Sequence, residues 1–164
     1  MMGVGKSTIG KSLARKLSYN FVDIDRLIEI KEGKNINLIF QSKGESYFRK
    51  LENSISLKNL KLKNCVISLG GGAFLDKSIR RAVKSSSVSF WLDVNMKELI
   101  RRLKNSKRRP LLLKKNLSDV INKIYLERKK SYSEADYRIR CNLMHPERIV
   151  SKINSLYEKS GNKI

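Results

Sequence analysis

The sequence predicts a single α/β domain in which a mostly parallel sheet is sandwiched between helices. Three observations predict it. The chain opens on what reads as a phosphate-binding loop running straight into a helix. Short apolar runs then alternate with helical periods, and no repeat or linker interrupts them. At 164 residues the chain is long enough for one domain with a core and too short for two of ordinary size.

The opening loop is Gly3-Val4-Gly5-Lys6-Ser7-Thr8. In the pattern G-x-x-x-x-G-K-[ST], small residues turn the backbone so that its N–H groups ring the phosphates. The Lys adds positive charge and the Ser or Thr holds Mg²⁺. Gly5, Lys6 and Ser7 fit, while the pattern's first glycine would fall just upstream of Met1. Ile9, Leu13 and Leu17, four apart, make the following segment an amphipathic helix.

After a turn at Asn20, Phe21-Val22-Asp23-Ile24-Asp25 reads as a strand whose alternation puts Asp23 and Asp25 on one side. One carboxylate there can hold Mg²⁺ through water, and the other can orient or deprotonate a hydroxyl. The alternative is that Asp25 only caps the helix beginning at Arg26. A short helical pattern over residues 36–43 is broken by Gly44 before a longer helix with Phe48, Leu51 and Ile55 as its apolar stripe. Glu45, Arg49 and Glu52 share that helix's polar face, where by themselves they read as a solvent-facing ion-pair ladder.

Cys65-Val66-Ile67-Ser68-Leu69 is an apolar run of the buried parallel type, and it ends in Gly70-Gly71-Gly72. Glycines at the carboxyl end of such a strand let backbone approach a ligand where a Cβ would intrude. A modest helix around residues 78–83 leads to a strand over 88–92. Asn95, with Glu98 three residues on, then starts a helix that buries Met96, Leu99, Ile100 and Leu103. Residues 104–116, KNSKRRPLLLKKN, are basic and without helical period, and suit either a lid over polyphosphate or a surface loop. A helix over 118–130, a last half-buried strand through Tyr137, Ile139 and Cys141, and a closing helix with Pro146 in its first turn complete the chain.

The net charge of +21 would by itself suggest nucleic acid. Its basic residues are spread along the whole chain, however, and no RNP-type, zinc-finger or helix-turn-helix pattern accompanies them, so they read as a solvated surface biased toward anionic substrates. No run approaches the roughly 18 apolar residues of a membrane span. No signal region is present at the start either, so a cytoplasmic protein is expected. Cys65 and Cys141 lack metal or redox spacing and read as small buried apolar residues.

Taken in order, Gly3 to Thr8, Asp23-Ile24-Asp25, Gly44-Glu45 with Phe48-Arg49 and Glu52, Gly70-Gly71-Gly72, Arg109-Pro110-Leu111-Leu112, and Arg128 with Tyr132 closely resemble shikimate kinase, a P-loop NTPase-like small-molecule kinase. The resemblance covers nearly the whole chain. It implies transfer of the γ-phosphoryl of ATP to the 3-hydroxyl of shikimate, with Mg²⁺, in aromatic amino-acid biosynthesis, by a monomer with no dedicated nucleic-acid or membrane partner.

It also implies roles. The nucleotide would meet Gly3, Val4, Gly5, Lys6, Ser7 and Thr8. Lys6 would contact the phosphates, Ser7 would ligate Mg²⁺, and Asp23 would help through water. Asp25 would bond the substrate hydroxyl as base or orienting group. Arg49, held by Glu52, and Arg128 would clamp the carboxylate, with Gly71 and Gly72 against the ring. Arg109 would be the lid arginine of the segment 104–116, and Arg102 with the loop from Asn142 to Pro146 would flank adenine. Residues 33–60 would be the substrate-binding helices.

Two departures stand out: Lys129-Lys130-Ser131 fills an interval where the family often has proline, and the family's first strand and first loop glycine are absent. By the resemblance that strand lies between those ending at Leu69 and Leu92. The expectation is therefore a pair of facing unpaired edges, and a natural start about eight to fifteen residues upstream, one strand plus the loop, with Met1 internal. Two other readings remain open on sequence: a gluconate kinase-like enzyme, against which Arg49 with Glu52 and the R-P-L-L run weigh, and a non-catalytic basic protein that binds nucleic acid.

Overall fold

The computed structural model describes residues 1–104 and 117–161. Helix α1 (Lys6–Leu17) follows the glycine-rich loop and ends where Ser18 adopts a left-handed conformation and its N–H returns to the carbonyls of Ala14 and Arg15. Strand β1 (Asn20–Asp23) then leads into α2 (Ile24–Glu32). Phe21 of β1 packs so tightly on α1 that a Cβ on Gly10 would lie 2.5 Å from its ring, which is why a glycine is needed in mid-helix.

The expected strand through Asp25 stops two residues early. The Asp23 side chain accepts from the Arg26 N–H, so Asp23 is the N-cap, and the chain turns helical at Ile24. Asp25 therefore projects from the first turn of α2 rather than from a strand.

Helix α3 (Ile36–Asn59) contains the expected break: Gly44 sits at φ 78, ψ 170 and separates two helical segments. Helices α2 and α3 have a small core of their own in Ile24, Ile28, Ile39, Phe48 and Leu51. After β2 (Cys65–Ser68) come a single 3₁₀ turn (Ala73–Leu75), α4 (Lys77–Ser86), β3 (Phe90–Asp93), α5 (Met96–Lys104), α6 (Leu117–Tyr132), β4 (Tyr137–Arg140) and α7 (Pro146–Lys159). The Asn95 side chain accepts from the Glu98 N–H at 2.8 Å, as its capping spacing predicts. The larger core joins α1, α4, α5, α6 and α7 through Ile9, Leu13, Ile79, Leu99, Ile121 and Ile153.

All strand pairings among the described residues are parallel. Strand β1 pairs with β2 in the register Phe21 to Val66, and β3 with β4 in the register Leu92 to Ile139. β2 and β3 do not pair. Both line a cavity of about 470 Å³ whose walls include Met1, Val66, Ile67, Leu69, Phe90 and Leu92. This is the pair of facing edges expected where the resemblance places one more strand. Cys65 lines this cavity and is only half-buried, whereas Cys141 is fully buried, so the expectation of two buried thiols holds for one.

Of the segment 104–116, only Lys104, the last residue of α5, falls among the described residues. Arg109 lies outside them. No helix among the described residues is long and apolar enough to cross a membrane.

Candidate active site

The phosphate loop has the backbone its residue types require. Gly3 and Gly5 sit at φ 71 and φ 91, in the left-handed region that glycine enters without cost. Gly5 is the N-cap of α1 and offers no side chain to the first-turn N–H groups, which leaves them for an anion at the positive end of the helix. Val4 points into the core at 2 % exposure and pins the loop from beneath. Gly3 rests against α5, where a Cβ would meet Leu103 at 3.0 Å. The Lys6 ammonium folds back over the loop and donates to the Met1 carbonyl at 2.9 Å.

Ser7 and Thr8 are exposed at the start of α1. The Ser7 hydroxyl donates to Asp23 Oδ2 at 2.5 Å. A hydroxyl and a carboxylate meeting beside a phosphate loop are the sparse set of hard oxygens that suits Mg²⁺, which takes few protein ligands and completes its shell with phosphate and water. Among the described residues, no group of three or more His, Cys, Asp or Glu could hold a metal by itself.

Across from this pair, the end of β2 forms a floor with charges converging on it. A Cβ on Gly70 would overlap Glu52 Oε1 and lie 2.7 Å from Asp25 Oδ1, so two carboxylates from two helices crowd one glycine. Glu52 is 2 % exposed, so the polar face of α3 is no solvent ladder at this position. Its Oε2 accepts from Arg49 Nη1 at 2.6 Å, while Oε1 has no hydrogen-bond partner among the described residues. Burial pushes the Glu52 carboxyl above its usual range, Arg49 opposes the shift, and the nearby Asp25 charge adds to it.

Arg49 stands over Gly72, with its guanidinium carbon 5.2 Å from the Phe48 ring centre and 5.9 Å from that of Phe40. From α6, Arg128 Nη1 donates to the Gly71 carbonyl at 2.7 Å. The Tyr132 hydroxyl donates to the same carbonyl at 2.5 Å and accepts from the Met1 ammonium at 2.9 Å. Two arginines distant in sequence thus meet at one glycine turn, and Tyr132 links that turn to the start of the phosphate loop.

The shikimate kinase family model matches residues 2–158. The chain is 46 % identical over 152 residues to the shikimate kinase of Persephonella marina, covering 93 % of this chain and 92 % of that protein. The chain belongs to the shikimate kinase family. Its fold is that of solved shikimate kinases. The Acinetobacter baumannii enzyme, determined in complex with shikimate, superposes with a TM-score of 0.91 at 31 % identity over 99 % of this chain and 91 % of that one. The Bacteroides thetaiotaomicron enzyme does so with 0.90 at 33 % identity over 96 % and 94 %.

Like its relatives, the chain is a kinase of the shikimate pathway, and the remaining residues expected at the nucleotide can be placed. Arg102 on α5 is half-buried and donates through Nε to Glu98 Oε1 at 2.7 Å. Its charge reaches the buried Cys141 thiol at the end of β4 and partly offsets the burial that lifts that group to about 11. The loop after β4 is tied to the start of α5, because Asn142 Oδ1 accepts from the Asn95 N–H at 2.7 Å, and Pro146 then opens α7. Asn142, in the loop that leads to Pro146, thus bonds the residue just before the helix that carries Arg102.

Sequence reading passed over several residues of this site. Tyr132 entered only as part of a spacing, because nothing local marks a hydroxyl that joins two loops. Gly70 was one of three equivalent glycines until two carboxylates were seen against it. Phe48 read as core and Phe40 was not singled out, and only their closeness to Arg49 gives them a second role.

Proposed function

We propose that the chain transfers the γ-phosphoryl group of ATP to the 3-hydroxyl of shikimate, giving shikimate 3-phosphate and ADP. The observation that carries this reading is the convergence of Asp25, Glu52, Arg49 and Arg128 on the turn Gly70–Gly72, beside a phosphate loop whose Ser7 meets Asp23.

Each residue then has a task set by its chemistry. Backbone N–H groups of Gly3 to Thr8 and the Lys6 ammonium receive the phosphates, at the positive end of α1. Ser7, with Asp23 helping through water, would hold Mg²⁺, which would supply charge neutralisation at the phosphates. Asp25 accepts a hydrogen bond from the 3-hydroxyl, aims its oxygen in line with the γ-phosphorus and takes its proton as the new O–P bond forms and the bond to ADP breaks.

Arg49 and Arg128 grip the substrate's carboxylate, which fits paired guanidinium forks better than two ammonium groups. Gly71 and Gly72 lie against the ring, where neither adds a side chain of its own beside the two guanidinium groups. Residues 33–60 thus serve as the substrate-binding helices. Arg102 and Pro146 flank the adenine. Arg109 lends charge to the transition state. We read the enzyme as a cytoplasmic monomer.

The experiment is ADP release measured with shikimate, with gluconate and with no acceptor. Release that depends on shikimate alone is expected. Equal rates with gluconate would replace this reading with a broader sugar-acid kinase, and release without acceptor would leave only a nucleotidase.

A further inference from the structure

The guanidinium of Arg49 has two hydrogen-bonding edges, and both are occupied by carboxylates of its own helix. The inner edge is closed by Glu52, whose side chain is 3 % exposed and meets Nη1 at 2.6 Å. The outer edge, Nε with Nη2, is the flat fork that a free carboxylate engages with both of its oxygens. Here it is held by Glu45 through a single oxygen: Oε1 accepts from Nε at 3.1 Å and from Nη2 at 3.0 Å. Glu45 follows immediately on the Gly44 break, and its side chain is 66 % exposed.

We propose that Glu45 is a carboxylate stand-in: it occupies the outer edge of Arg49 until the substrate's carboxylate displaces it. Binding is then an exchange of one carboxylate for another on the same fork. The proposal rests on Arg49 being a ligand of the substrate carboxylate.

The two partners of Arg49 differ in a way that assigns them different tasks. Glu52 is buried against Gly70 and Asp25, has no room to leave and keeps the guanidinium over Gly72. Glu45 uses one oxygen where two could bind and has water around most of its surface, so releasing it costs little. An exposed i,i+4 pair of this kind contributes little to stability. A ligand that presents two oxygens to Arg49 and a third contact to Arg128 outcompetes it. A neutral ligand of the same shape cannot replace the charge that Arg49 would lose. Glu45 therefore acts in substrate selection: it keeps the fork satisfied against neutral cyclohexenes and gives it up to an anion.

The test is calorimetric titration of shikimate and of shikimate methyl ester into the unsubstituted chain and its Glu45→Gln, Glu45→Ala and Arg49→Lys variants. Removing the competing charge should tighten shikimate by about two- to fivefold in both Glu45 variants, the factor that a pair of this strength implies, and should leave the methyl ester within error. Weaker or unchanged shikimate binding in both Glu45 variants would overturn the proposal, the weaker case making Glu45 a support for Arg49. An equal gain for the ester would also overturn it, since the effect would then not depend on the ligand's charge. Arg49→Lys separates this failure from that of the underlying reading: unchanged shikimate affinity in that variant would remove Arg49 from the substrate site, and Glu45 with it.

Discussion

Arg49 occupies the space that any side chain at position 72 would need: a Cβ built on Gly72 overlaps Nη1 and comes within 2.7 Å of the guanidinium carbon. Gly72 itself has an ordinary backbone at φ −105, ψ −16, so alanine there is not strained. The clash is with the far end of a flexible side chain, which can swing away. Gly72→Ala should therefore leave the melting temperature within a few degrees and raise the KM for shikimate on the order of tenfold or more, the worth of one charged hydrogen bond. An unchanged KM, measured by coupled ADP release, would mean that Arg49 does not touch substrate.

Asp25 and Glu52 crowd the same glycine, yet only Asp25 is given proton transfer. Asp25→Asn should lower kcat by about a hundredfold or more while nucleotide binding, followed by calorimetry, stays near the unsubstituted value, because the phosphate loop is untouched. Retention of more than about a tenth of the rate would contradict the assignment.

Glu52 supplies a pH test. Burial raises its folded pKa above the ordinary value of 4.5, so the folded state holds this proton more tightly than the unfolded chain. Its contribution to stability is complete below about pH 4.5 and is lost as pH rises through the folded value. Glu52→Gln lacks this loss. The melting temperature of the variant minus that of the unsubstituted protein should thus become more positive from pH 4 to pH 7. A constant difference, or one that runs the other way, would mean that Arg49 cancels the burial penalty.

The cavity between β2 and β3 makes a prediction about stability that does not depend on catalysis. Among the described residues β2 and β3 are not hydrogen-bonded to each other, and a strand-edge backbone group without a partner costs roughly 1 to 3 kcal/mol if it is shut away from water. An apolar, β-branched strand of about six residues joined ahead of Met1 by a short glycine-containing turn should pair with both edges. Differential scanning calorimetry should show a melting temperature higher by more than about 5 °C, given the few degrees per kcal/mol typical of a domain this size. No increase would mean that the cavity does not accept a strand.

The sequence by itself determined the alternation of elements, because those signals are local. Ile9, Leu13 and Leu17 repeat at helical spacing, the Asn95 cap and Pro146 mark helix starts, and the run from Cys65 to Leu69 has the apolar character of a parallel strand. It also located the phosphate loop, whose glycines are needed by its own backbone. Only the tertiary structure decided where the charges stand. Asp23, not Asp25, caps α2, a difference of two residues that carries Asp25 off the strand and onto a helix beside Glu52. Glu45 and Glu52 look alike on a helical face, yet one is 66 % exposed and the other 3 %, because the turn at Gly70 closes over one of them alone. Arg128 reaches the Gly71 carbonyl across 57 positions of sequence. No period or spacing encodes such a contact, since it depends on how α6 and β2 pack against a shared core, and that packing is the sum of many small apolar contacts spread over the whole chain.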